Sequence, residues 1–131
     1  LVMSNLDLLK QGYKDFAEGN MEAVLENWDP NMVWEACKGM PYIKGDGIYK
    51  GIPAIMEGVF SHIPEYFDDF KINIKDFIDG GDKIVMVGTY TGVWKPTGKK
   101  FDVHATHTWT YKNSKVINYY QAVDTASIIN E

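Results

Sequence analysis

The chain of 131 residues has no arginine; all 13 of its basic residues are lysine. Every mechanism that needs a guanidinium is therefore excluded, including the bidentate clamp on carboxylate or phosphate. Acidic residues outnumber basic ones, with a formal net charge of −5. Phosphate backbones select basic patches, so no nucleic-acid partner is expected. Cysteine is almost absent. The single Cys37 has no internal disulfide partner, which points to a reducing compartment, the cytoplasm. No His/Asn frame surrounds it, and it reads as a small buried apolar residue. No apolar run is long enough to span a bilayer, so no membrane partner is expected, and no signal-peptide pattern opens the chain. Leu1 and Val2 precede the first methionine, Met3. Repeats, linkers and low-complexity segments are also missing, and the length suits one domain over residues 1–131.

Aromatic side chains are abundant: 14% of residues, with 4 Trp and 8 Tyr. So many rings in so short a chain suggest a cavity or an interface as well as a core. In the stretch from Lys99 to Asp124, two β-rich runs flank the polar turn Lys112-Asn113-Ser114-Lys115. Phe101, Val103, Ala105, His107, Trp109 and Tyr111 alternate with Asp102, His104, Thr106, Thr108 and Thr110. Side chains alternate faces along a strand, so one face is apolar and the other polar. His107 falls on the apolar face, where a titratable ring needs a reason to be.

Upstream, Leu6, Leu9, Tyr13 and Phe16 fall at helical spacing over Asn5 to Glu18, with Ser4 or Asn5 to cap the start and Gly19 the end. Asn20 is placed to cap a second, short helix through Trp28. Asp29-Pro30-Asn31 reads as a turn and Met32 to Cys37 as a strand. Lys38 to Lys50 reads as a long loop, and Pro53 opens a third helix that buries Ile55, Met56, Val59, Phe60 and Ile63 and ends or kinks at Pro64. From about Phe70 the alternation turns to period two, with a break near Asp76 that signals a bulge. Gly80-Gly81-Asp82 and Lys95 to Gly98 are the turns on either side of a strand over Lys83 to Trp94. Residues 124–129 suit a closing helical turn. Three helices and a strand followed by four strands joined by tight turns is an α+β pattern.

Several motifs together carry a family likeness: Tyr13-Lys-Asp-Phe-Ala-Glu-Gly-Asn, Trp28-Asp-Pro-Asn-Met-Val-Trp, Tyr49-Lys-Gly-Ile-Pro, Phe77-Ile-Asp-Gly-Gly-Asp, and His107-Thr-Trp-Thr-Tyr-Lys-Asn-Ser-Lys-Val. The chain resembles SnoaL-like proteins, the polyketide-cyclase branch of the nuclear-transport-factor-2-like superfamily, from about residue 5 to 126. That resemblance implies a cone-shaped α+β fold, with three N-terminal helices against a strongly curved mixed or antiparallel sheet enclosing a pocket. It also implies a homodimer paired through the convex sheet face, no cofactor, and a small apolar, polyketide-like or steroid-like ligand. The fold hosts isomerases, dehydratases, cyclases and non-catalytic modules, so it does not fix a function.

The family's catalytic positions transfer one at a time. The cyclases' general acid/base Asp on the last strand falls on Gln121, which can hydrogen-bond a substrate but cannot shuttle a proton. The base of the ketosteroid isomerases falls, without gaps, on Ala36, with Glu35 next door on the opposite face. The Asp-Arg-Asp set of the limonene epoxide hydrolases is excluded, because there is no arginine. The histidine of the cyclase signature is His107.

His107 thus has two readings: a pocket-facing acid/base, or a core histidine satisfied by a neighbouring Tyr or Thr. Gln121 depends on hairpin register. A three-residue loop, Lys112-Asn113-Ser114, puts it on the His107 face, whereas a two-residue loop, Asn113-Ser114, puts Tyr120 and Asp124 there. Asn-Ser lacks the glycine that a type I′ turn prefers, which favours the longer loop. Asp124 either orients a histidine or caps the final turn through Ser127. Trp34, Met56, Phe60, Met86, Tyr90 and Trp109 are the candidate pocket lining, with the Tyr90 hydroxyl as a possible assistant, and plain core is their alternative. His104 and His107 are three apart on a strand and face opposite ways, so no metal site is expected. If the chain is an enzyme, the expected chemistry is proton transfer beside a carbonyl.

Overall fold

A computed structural model describes residues 3–129; Leu1 and Val2 lie outside the described residues. Helix α1 (Asn5–Ala17) starts where the Ser4 hydroxyl accepts from the Asp7 N–H at 3.1 Å. It ends at Gly19, whose φ of 76° is the left-handed conformation glycine adopts most cheaply. Asn20 caps the short α2 (Met21–Leu25) as its sequence position predicts, through the Ala23 N–H.

Strand β1 (Trp28–Glu35) absorbs the expected turn. Asp29 still closes a local bond to the Asn31 N–H at 2.8 Å, but the pairing is only displaced between Trp28 and Val33 and then resumes. The expected loop over Lys38–Lys50 contains a three-residue strand, β2 (Ile48–Lys50), paired antiparallel to β1. The expected third helix is divided into α3 (Ile52–Gly58), a 3₁₀ turn (Phe60–His62) and α4 (Ile63–Tyr66). Pro64 neither ends nor kinks a helix; it occupies the first turn of α4, where its missing N–H costs nothing.

The strands β3 (Phe67–Asp79), β4 (Lys83–Trp94), β5 (Lys99–Lys112) and β6 (Lys115–Val123) follow, and α5 (Ala126–Ile129) closes the described chain. The predicted bulge appears as a register shift between Ile74 and Asp76. All strands form one mixed sheet in the order β2-β1-β6-β5-β4-β3, with β1 parallel to β6 and the other pairs antiparallel. The sheet curls around α1 and the helical segment 52–66. Along β5 the apolar set from Phe101 to Tyr111 is buried, and Asp102 and His104 face out. Strands long enough to curl, with one fully apolar face, have to close on something, and here they close on the stripe of Leu9, Tyr13 and Ile55.

The hairpin between β5 and β6 corrects one expectation and keeps its consequence. Lys112 pairs with Lys115, so the turn is the two-residue Asn113-Ser114, with φ of 51° and 62° at its centre. The register then slips by one between Thr110 and Tyr111, so that Thr110 pairs with Asn118 and His107 with Gln121. The bulge supplies the odd residue that a longer loop would have supplied. Gln121 therefore shares the inner face with His107, and Tyr120 is turned outward, 54% exposed.

Candidate functional site

Between the helices and the inner sheet face lies a chamber of about 80 Å³. Neighbouring strands supply its polar end in register: Tyr90 from β4, His107 and Trp109 from β5, Tyr119 and Gln121 from β6, and Trp34 from β1. Gly88 and Ala105 pair with each other between Tyr90 and the His107 level, and the Tyr90 phenol lies beside the imidazole, with ring centroids 5.5 Å apart. Helix α1 brings Tyr13 down from the other side, its ring stacked on that of His107. Apolar groups such as Leu9, Phe16, Val59, Phe60 and Phe70 complete the wall.

His107 is 2% exposed, and neither ring nitrogen is free. Nδ1 meets the Tyr13 hydroxyl at 2.7 Å, and Nε2 meets the Tyr90 hydroxyl. Burial pushes the imidazole down to about 3, so the ring is neutral at physiological pH and carries one proton. The neighbours restrict where that proton sits. Trp109 Nε1 can only donate, and it donates to the Tyr13 hydroxyl at 2.8 Å. The Cys37 N–H donates to Gln121 Oε1 at 3.0 Å, which turns the amide so that its Nε2 donates to the Tyr90 hydroxyl at 2.9 Å. Tyr119, from β6, packs its ring against that of His107 with centroids 5.1 Å apart.

Counting donors then leaves one hydroxyl proton without a protein acceptor. With the ring proton on Nε2, Tyr13 donates to Nδ1, Nε2–H donates to Tyr90, and the proton left over is on Tyr90. With the ring proton on Nδ1 both bonds reverse, and the proton left over is on Tyr13. The row Tyr13–His107–Tyr90 is therefore a proton relay with two ends, and the imidazole tautomer decides which end holds the proton. Burial raises the pKa of Tyr13, Tyr90 and Tyr119, so all three stay protonated across the physiological range.

The structure brings together His107, Gln121, Trp34, Tyr90, Trp109 and Phe60 from the expected site residues. Met86 is fully buried and pairs directly with His107, but it packs in the core and does not line the chamber. Met56 lies on a separate open groove with Met21, Ser61 and Pro64. Phe16, Phe60 and Ile63 line both the groove and the chamber, so they form the partition between them. Glu35 faces away from the chamber, one residue out of step with Trp34, and accepts from Asn118 Nδ2 at 3.2 Å. Asp124 is exposed and holds the start of α5, accepting from the Ser127 N–H at 3.2 Å and hydroxyl at 2.6 Å. Those bonds to Ser127 lower its pKa. Asp124 orients no histidine side chain, and capping is its role. Among the described residues no carboxylate lines the chamber.

Tyr13 and Tyr119 were missed as site residues. The signal was available for Tyr13: a tyrosine on the buried stripe of a helix needs a partner for its hydroxyl. Among the described residues no group of three or more His, Cys, Asp or Glu is placed to hold a metal. No helix there is long and apolar enough to cross a membrane.

The family model for the SnoaL-like domain matches residues 9–119. The chain belongs to the SnoaL-like domain family. Among solved structures, this SnoaL-like chain is similar to an NTF2-like protein from Burkholderia thailandensis E264, with 24% identity, a TM-score of 0.89, and 97% of this chain and 95% of that one covered. It is also similar to TerC, co-crystallised with polyporic acid, with 24% identity, a TM-score of 0.81, and 93% and 92% covered. IdmH from Streptomyces antibioticus, described as a proposed polyketide cyclase, matches with 16% identity, a TM-score of 0.80, and 97% and 96% covered. These likenesses show the fold. Among curated proteins nothing matches.

Proposed function

We propose that this SnoaL-like chain binds a small, largely apolar, ring-containing molecule with at least one oxygen function, in the chamber between α1 and the sheet. The observation that carries this reading is the lining itself: apolar and aromatic walls, a neutral Tyr–His–Gln cluster at one end, and, among the described residues, no carboxylate or lysine. A charged ligand would find no counter-ion there. TerC, of the same fold, was co-crystallised with polyporic acid, which agrees with a small-molecule ligand. A ring larger than the chamber of about 80 Å³ enters by displacing wall side chains, and Phe16, Phe60 and Ile63 have the open groove behind them. The ligand needs no cofactor. The molecule works in the cytoplasm as a homodimer joined through the outer sheet face, where Ile78 and Tyr120 are exposed.

A second reading, catalysis of isomerisation, cyclisation or dehydration beside a carbonyl, is favoured by the relay. His107 serves it from within the row and not as a free base. A proton accepted at one end can be matched by a proton released at the other, with His107 changing tautomer and no buried charge persisting. In this reading Gln121 positions Tyr90 and does not itself titrate.

Titration of the protein with acetophenone, followed by calorimetry, tests binding. Saturable binding at about millimolar or tighter is expected, weakened about tenfold in Gln121→Leu. No binding of acetophenone or its hydrocarbon analogues would overturn the chamber as a ligand site. Wash-out of deuterium from the acetophenone methyl group separates the two readings. Exchange above the buffer rate that is lost in Tyr90→Phe marks proton transfer, and exchange at the buffer rate leaves binding alone.

A further inference from the structure

Every side-chain nitrogen and oxygen that is fully buried among the described residues has a hydrogen-bond partner except one, the indole Nε1 of Trp34. Buried donors are almost always paired, and an orphan calls for an explanation. No defect in the fold explains this one. Trp34 is 4% exposed, pairs with Tyr119 across the parallel β1–β6 ladder, and stacks on the Tyr119 ring with centroids 3.7 Å apart. Its other ring neighbours, Trp28, Phe60 and Trp109, offer no acceptor in the plane of the indole. Trp28 and Trp109 carry only donors, and the Trp109 N–H is already committed to Tyr13. Yet Trp34 is part of the chamber wall.

One donor without an acceptor thus stands on β1 at a wall of the chamber, with the Tyr119 ring of β6 packed against it. The nitrogens of His107, by contrast, are both occupied.

We infer that the ligand's acceptor oxygen, a carbonyl or ether oxygen, is held by the Trp34 indole N–H beside Tyr119, and that this donor selects oxygenated rings over hydrocarbons of the same shape. The inference rests on the chamber being the ligand site and adds the orientation of the ligand within it: oxygen toward β1 and β6, ring toward Phe60 and α1. Catalysis, where it occurs, then takes place on a carbonyl polarised by Trp34.

The test uses acetophenone and cumene, which have the same shape and differ by a carbonyl in place of a CH–CH₃ group. The four tryptophans give four indole N–H resonances in a ¹⁵N-labelled sample, and the one absent from Trp34→Phe is that of Trp34. Acetophenone is expected to move this resonance downfield, and cumene is not. Trp34→Phe keeps an aromatic ring on Tyr119 but removes the donor and part of the ring, and the loss of ring volume falls on both probes alike. It is expected to weaken acetophenone by about tenfold, the size of one buried hydrogen bond, and cumene by no more than about twofold. Equal losses for both probes, or an acetophenone shift carried by a different tryptophan, would overturn the inference and leave the chamber standing. Failure of both probes to bind the unaltered protein would overturn the ligand site and the inference together.

Discussion

His107 illustrates how far residue identity alone carries. Its position on an apolar strand face announced a buried titratable group, and Gln121 could be placed beside it. What it does there depends on Tyr13, 94 residues away along the chain. No local pattern reports that a helical tyrosine will meet a strand histidine, so the relay was not legible. The pair has a consequence for acid stability. The folded pKa, about 3, lies below the ordinary imidazole value of 6.5, so the unfolded chain takes up the proton more readily. Stability from keeping the ring neutral is therefore complete above pH 6.5 and declines as the pH falls toward 3. At ~1.4 kcal/mol per pH unit, a drop from pH 6.5 to 5 removes roughly 2 kcal/mol. Urea unfolding at pH 6.5 and pH 5 is expected to show this loss in the wild type in excess of that in His107→Gln, whose amide does not titrate. Equal slopes for the two proteins would mean that the imidazole is not held neutral.

Among the elements, strands with strict alternation were readable, and those governed by pairing were not. β5 follows its period-two pattern from Phe101 to Tyr111, whereas β4 was apolar on both faces and was marked out by its flanking turns. β2 is three residues long and too short to show a period, so only its partner β1 makes it a strand. The β5–β6 turn was misjudged because glycine preference is a weak guide where the chain has neighbours on both sides. Asn113 and Ser114 both accept positive φ, and the twist of the flanking strands rewards it. The strain is real for serine, since the left-handed region costs a residue with a Cβ about 1 kcal/mol. Ser114→Gly is therefore expected to stabilise the protein by roughly 0.5–1 kcal/mol, measured as a raised urea midpoint at unchanged m-value. A lowered midpoint would indicate that the Ser114 side chain contributes more than the backbone strain costs.

At the scale of the whole molecule, the α+β architecture followed from the order of elements and from the family likeness, but the chamber's dimensions did not. They are set by side chains that converge from α1, the 52–66 segment and the curled sheet, and by a residue that contributes almost nothing to the volume. Gly12 lines the chamber, is half-buried on α1, and has no atom within 4 Å of where a Cβ would lie. A glycine inside a helix costs roughly 1 kcal/mol relative to a good helix former, and this one has no turn or close approach to justify it. The space it leaves is continuous with the ligand site, so the molecule keeps a less stable helix and a wider cavity. Gly12→Leu reverses both. The larger side chain is expected to raise the thermal midpoint through helix propensity and burial of apolar surface, and to reduce acetophenone binding by tenfold or more by occupying the chamber. Because stability and binding move in opposite directions, loss of fold cannot imitate the result. A variant that gains stability and still binds as the wild type does would place the ligand somewhere other than between α1 and the sheet.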